Sequence, residues 1–164
     1  MKRIAAVLLL CFLLTGCRDR AASFVPTTAG FSCAADVTAG EFSFSCALNV
    51  DREGALTAVL TEPSPFAGLR MELNQDGARI GFGDFDTGIS ADALPRFSFA
   101  AVTKEALARA ASAAFQPAEE GYRADGYAGG GAFSFLFRAD GFPLTLSLPA
   151  AGLSVTFRDF ALLT

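Results

Sequence analysis

From Phe31 onward this chain alternates. In FSCAADVTAGEFSFSCALNV, Phe31 to Val50, apolar residues take every second position on both sides of Ala39 and Gly40. Successive side chains of a strand point to opposite faces, so a period of two buries one face and wets the other, which is a hairpin pattern. The same period returns at Leu56, Ala58 and Leu60, at Leu69, Met71 and Leu73, and at Ile80 and Phe82, with Arg70, Glu72 and Arg79 falling between. After one interruption it resumes at Tyr122 and Ala124, at Phe133, Phe135 and Phe137, at Leu144, Leu146 and Leu148, and at Leu153, Val155 and Phe157. These runs predict a mainly β fold of about nine strands. Connections as short as Asn74 to Gly77 (NQDG) favour antiparallel neighbours in sequence order. An open sheet of nine strands at about 4.8 Å each spans roughly 43 Å, and its twist makes it curl into a half-barrel with the apolar face inside.

With Ala39 and Gly40 as a two-residue loop, Val37 faces Phe42, Ala35 faces Phe44, and Cys33 faces Cys46. The cysteines then form a non-hydrogen-bonded pair, about 4.5 Å between Cα atoms, which a disulfide can just span. In an oxidising compartment the expectation is a bridge; otherwise both are buried thiols on the apolar face.

The interruption is TKEALARAASAA, Thr103 to Ala114. Its alanine content, Thr103 as N-cap and Glu105 in the first turn predict a helix. Leu107, Ala110, Ala111, Ala114 and Phe115 share one helical face, which should cover the concave side of the sheet as a plug or lid. Gly83 to Phe99 reads as the loop that delivers it. The chain holds seventeen phenylalanines. Phe42, Phe44, Phe82, Phe133, Phe135, Phe137 and Phe157 fall on inward faces and, with Leu107, are the candidates to line a cavity. Most of them serve as core, since a helix of small residues leaves a wide hollow to fill. An underfilled hollow would leave an acyl-chain pocket of several hundred Å³.

The N-terminus carries an export signal. Lys2 and Arg3 precede a wholly apolar run from Ile4 to Leu14, and Leu14, Thr15, Gly16 and Cys17 form a lipobox. Eleven helical residues cover only about 16 Å, half of what a membrane span needs. Residues 1–16 are therefore a signal peptide. The segment resembles bacterial lipoproteins, which implies a diacylglycerol on the Cys17 sulfur and an amide-linked acyl chain such as palmitate on its new amino group. More than one chain is needed for a stable anchor. Residues 17–29, CRDRAASFVPTTAG without its final glycine, read as a lipidated tether, and 30–164 as one domain. The location expected is the extracytoplasmic face of a bacterial membrane, either the cell membrane or, where there are two, the outer one.

Loss of Lys2 and Arg3 takes the net charge from −4 to −6 and leaves Lys104 as the one lysine. Such a surface does not seek nucleic acid, nor anionic head groups, because phosphate binding needs clustered cations. With no histidine there is no histidine base, no Ser/His/Asp triad and no histidine-containing zinc site. No GxSxG occurs, and no SxxK accompanies Lys104. The run GDFDTG, Gly83 to Gly88, begins like a calcium loop but lacks a third ligand and the distal glutamate, so it reads as a strand end entering a turn. No enzyme, cofactor or metal is expected.

Taken together, the lipobox, the tether, the one-face-apolar antiparallel sheet, TEPSPFAGL at Thr61 to Leu69, ALPRF at Ala93 to Phe97 leading into a helix, and four further strands resemble LolA-like lipoproteins. The resemblance spans Phe31 to Phe160, and its most recognisable element is the Pro65 to Leu69 turn. It implies an incomplete β-barrel closed by helices over an apolar cavity, and a lipid or lipoprotein ligand. Two departures matter: the LolA carrier is soluble whereas this chain carries an anchor signal, and relatives have more helices. No family binding residue maps onto a position here. Two functions follow as expectations. The first is an anchored protein that binds or transfers a lipid or acylated ligand. The second is a non-enzymatic envelope interaction or regulatory lipoprotein with no bound ligand.

Overall fold

A computed structural model describes residues 24–90 and 98–163. Its strands are β1 (Phe31–Ala39), β2 (Phe42–Val50), β3 (Leu56–Glu62), β4 (Arg70–Leu73), β5 (Gly77–Phe82), β6 (Phe85–Ser90), β7 (Gln116–Ala118), β8 (Gly121–Ala128), β9 (Gly131–Phe137), β10 (Pro143–Leu148) and β11 (Leu153–Leu162). All belong to one antiparallel sheet in the spatial order β6-β5-β4-β3-β2-β1-β11-β10-β9-β8-β7. Two meanders therefore meet where the first and last strands pair, and β6 and β7 remain as separate edges, so the sheet is a half-barrel and not a closed barrel. Irregularities of register at Ser32/Ala34, Ser45/Cys46 and Pro143/Thr145 add local twist to this sheet.

The expected period-two face is the core. Val37, Leu48, Leu56, Ala58, Ala124, Phe133, Phe135, Phe137, Leu146, Leu148, Leu153, Val155 and Phe157 are all buried. Gly126 lies beneath the Phe133 ring so closely that any Cβ there would meet it at 2.7 Å, which is why the strand carries glycine at that point. On the outer face Asp36 accepts hydrogen bonds from Ser45 and from the Arg158 guanidinium, joining β1, β2 and β11. Arg158 and Ser45 together hold the Asp36 carboxyl down at about 2.

Four expectations are corrected. Among the described residues the strands number eleven: β6 lies within the stretch Gly83 to Phe99 read as loop, and β7 is a three-residue edge strand. GDFDTG forms the β5–β6 turn and the start of β6, where Asp86 pairs with Arg79 at 2.8 Å. The helix, α1, runs Phe99–Ala110 instead of 103 to 114. Ser98 is its N-cap and accepts the Ala101 amide, so the buried residues are Phe99, Ala100, Val102, Thr103, Ala106 and Ala110. Thr103 sits inside the helix, fully buried. Lastly, Phe24 to Ala29 does not hang free as tether: the Phe24 ring lies 4.3 Å from Tyr122 and 4.6 Å from Phe115, and the Thr27 amide donates to the Gly141 carbonyl at 2.9 Å. The packed domain thus takes in Phe24 to Ala29. Cys17, the lipobox and the rest of the tether lie outside the described residues.

The β1–β2 register also differs. Ala39 pairs with Phe42, leaving Gly40 and Glu41 as the loop, and Gly40 takes a φ of 61°. Primed hairpin turns put positive φ at their first central residue, and glycine adopts it without strain. Cys33 consequently faces Leu48, and Cys46 faces Ala35.

Candidate functional site

α1 crosses the concave face, packing mainly on β8 and reaching β3, β4 and β9. Because its inward residues include three alanines, it does not fill the hollow evenly. A pocket of about 330 Å³ remains between the C-terminal half of α1 with its C-cap Ala111, the β2–β3 turn, the packed N-terminal segment and the β9–β10 turn. Its floor is apolar: Phe31, Leu56 and Phe137 are buried there, beside Pro143. Leu107, Ala108 and Ala111 form the helix wall, and Pro26 to Ala29 form the opposite one. The rim is polar, built from Asp51, Arg52 and Glu53 in the β2–β3 turn together with Lys104. The Asp51 carboxylate is occupied within that turn, accepting the Glu53 amide at 2.9 Å and the Ala55 amide at 2.8 Å. The Lys104 ammonium donates to the Asn74 carbonyl of the β4–β5 turn.

Of the residues expected at a cavity, the pocket brings together Phe137 and Leu107. Phe135 and Phe157 are buried in the core, with Phe135 against Phe137 at 4.4 Å and Phe157 at 5.8 Å between ring centres, while Phe133, also buried, borders a separate open hollow beside Gly126, Tyr127 and Pro149. Phe44 is half-buried and meets Phe99 edge-on at 5.1 Å. Phe42 and Phe82 do not line it: they are 77% and 45% exposed. Both have the inward parity, but Phe42 lies at the β1–β2 tip and Phe82 at the β5–β6 tip, past the end of the core. Phe66, Phe85 and Tyr127 are exposed at the same end of the sheet. The pocket lies at the other.

Cys33 and Cys46 are free thiols, offset diagonally on the buried face. Directly opposed strand residues approach closest, and diagonal ones stand about 7–8 Å apart at Cα, beyond the usual disulfide range. Burial pushes both thiols up to about 12, with the charge of Cys46 adding to it at Cys33 and that of Asp36 at Cys46.

Sequence reasoning missed the pocket's N-terminal wall and its charged rim. Lys104 stood out only as a lone lysine, while Pro26, Arg52 and Gly141 carry no periodic signal that would join them to it. Among the described residues no group of three or more His, Cys, Asp or Glu is placed to hold a metal. No helix there is long and apolar enough to cross a membrane.

No family profile and no curated protein sequence matches the chain. Solved structures do match in fold. An uncharacterised conserved protein from Thermus thermophilus superposes with a TM-score of 0.52 at 8% identity, over 84% of this chain and 80% of that one. A LolA superfamily protein from Nitrosomonas europaea superposes with a TM-score of 0.50 at 8% identity, over 86% of this chain and 89% of that one. The fold is therefore LolA-like, a large antiparallel half-barrel with, among the described residues, one α-helix on its concave side.

Proposed function

We propose that this chain is an anchored extracytoplasmic lipoprotein that holds one apolar chain of a lipid or acylated ligand between α1 and the sheet. The observation that carries the reading is the pocket of about 330 Å³ floored by Phe31, Leu56 and Phe137. That volume lies at the small end of the roughly 300–1,000 Å³ of ligand pockets, which suits a single acyl chain better than the several of a complete lipoprotein anchor. Hydrophobic capture is the only chemistry proposed, with no catalytic residue and no cofactor. The lipobox at Leu14 to Cys17 supplies the anchor. Since Phe24 is already packed on the domain, the seven Cα-to-Cα steps from Cys17 to Phe24 reach no more than about 25 Å, so the pocket stays close to its source of lipid. Mass spectrometry of lipid extracted from the purified protein tests this. A stoichiometric acyl species is expected; consistent absence of lipid, with no uptake of a fluorescent fatty acid, rejects it.

A second reading, an envelope protein that acts by contact with a partner, draws on a different observation. Phe42, Phe66, Phe82 and Phe85 stand exposed at one end of the sheet, away from the pocket. It requires the purified protein to be free of lipid.

A further inference from the structure

The distribution of charge around the pocket carries more than its volume does. Among the described residues, Arg70, Arg79, Arg109, Arg123, Arg138 and Arg158 each face a carboxylate at 3.3 Å or less. The two described cations with no ion pair are Arg52 and Lys104, and both line the pocket. They come from elements far apart in sequence, the β2–β3 turn and the middle of α1. Carboxylates are not scarce in a chain of net charge −4. Asp51 and Glu53 line the same rim without forming an ion pair with either cation: the Asp51 carboxylate accepts two amides of its own turn, and the Lys104 ammonium is held only by the neutral Asn74 carbonyl.

We infer that the ligand is a single-chain amphiphile with an anionic head, carboxylate or phosphate. Its chain lies on Phe31, Leu56 and Phe137, and its head sits at the rim beside Arg52 and Lys104. This rests on the pocket reading above and adds the head group to it. Water and salt screen a charge at a rim, so two such pairs favour the anion by about three- to tenfold and not by thousands.

The test uses the full chain in lipid nanodiscs with three photoactivatable sixteen-carbon probes that differ only in the head: hexadecanoic acid, hexadecyl phosphate and hexadecanol. Adducts are mapped to peptides by mass spectrometry at alkaline pH, where the acid is ionised. Adducts on the β2–β3 turn and α1 peptides are expected in about three- to tenfold excess for the acid, the phosphate or both over the alcohol. The double variant Arg52→Gln/Lys104→Met should bring the anionic probes down to the level of the alcohol. An unchanged alcohol yield in the variant shows that the pocket is intact. Equal yields from all three probes with wild type, or an excess that survives the double variant, would overturn the head-group assignment and leave the pocket standing. Absence of pocket adducts from every probe would overturn the pocket itself.

Discussion

Phe42 and Phe135 are the same residue on the same face of the same sheet, and burial alone separates them. Phe135 is fully enclosed between Phe137 and Phe157, whereas Phe42 is 77% exposed at a hairpin tip. Truncating a buried phenylalanine removes its transfer free energy and leaves a cavity, so Phe135→Ala should cost about 3–5 kcal/mol. Phe42→Ala should cost less than about 0.5 kcal/mol, as surface changes do. Denaturant midpoints of the two variants decide this, and comparable losses would place Phe42 in the core after all. The cysteines are a sharper case. With both thiols pushed up to about 12, only about one in ten thousand is thiolate at pH 8, and the thiolate is the reactive species. Alkylation mapped to the Cys33 and Cys46 peptides should therefore be absent in the native protein and complete once it is denatured without reductant. A pair that stays unalkylated on denaturation is a disulfide, and the diagonal register would then be wrong.

At the scale of elements, α1 shows how a good pattern can be placed one turn too late. Thr103 and Ser98 are both acceptable caps. The structure chooses Ser98 because starting there brings Phe99, Ala100 and Val102 onto the core, and burial outweighs a choice between two hydroxyls. Thr103 is then left inside with its hydroxyl unpartnered among the described residues. The two assignments make opposite predictions. Ser98→Ala should lower stability by about 0.5–2 kcal/mol. Thr103→Val, which removes an orphaned polar atom at constant shape, should be neutral or stabilising. Thermal unfolding of both variants separates them, since a cap at Thr103 would reverse the order. The strands were legible for a related reason. Moving the β1–β2 loop from Ala39–Gly40 to Gly40–Glu41 shifts each pairing by two residues, and a shift of two keeps every side chain on its face. The core survived that error, but the cysteine pairing did not. β6 is hidden in the sequence by Gly83, Gly88 and the aspartates, which look like loop, although Phe85, Thr87 and Ile89 alternate within it. A period tells which face is buried, not how far along the strand the core extends, so Phe42 and Phe82 share the inward parity without reaching the cavity.

Across the whole molecule, the half-barrel was readable from local pattern while the pocket was not. The sheet is built from hairpins whose partners are sequence neighbours, apart from the β1–β11 seam. The pocket is built from Pro26, Arg52, Lys104 and Gly141, which only the closed fold brings together. What the sequence did contain was the cause of the pocket, namely the small side chains of a helix laid over a wide hollow. That cause can be reversed. Ala111 lies on the pocket wall and is itself exposed, so Ala111→Trp can extend into the empty space without displacing packed core. Stability should change by less than about 1 kcal/mol, as at other surface positions. Uptake of a fluorescent fatty acid should fall by about tenfold or more, because excluding even two methylenes at about 0.8 kcal/mol each amounts to that factor. The two measurements have to be made on the same preparation. Binding that persists beside the tryptophan puts the ligand elsewhere on the sheet, and the exposed Phe42, Phe66, Phe82 and Phe85 end would be the next place to look.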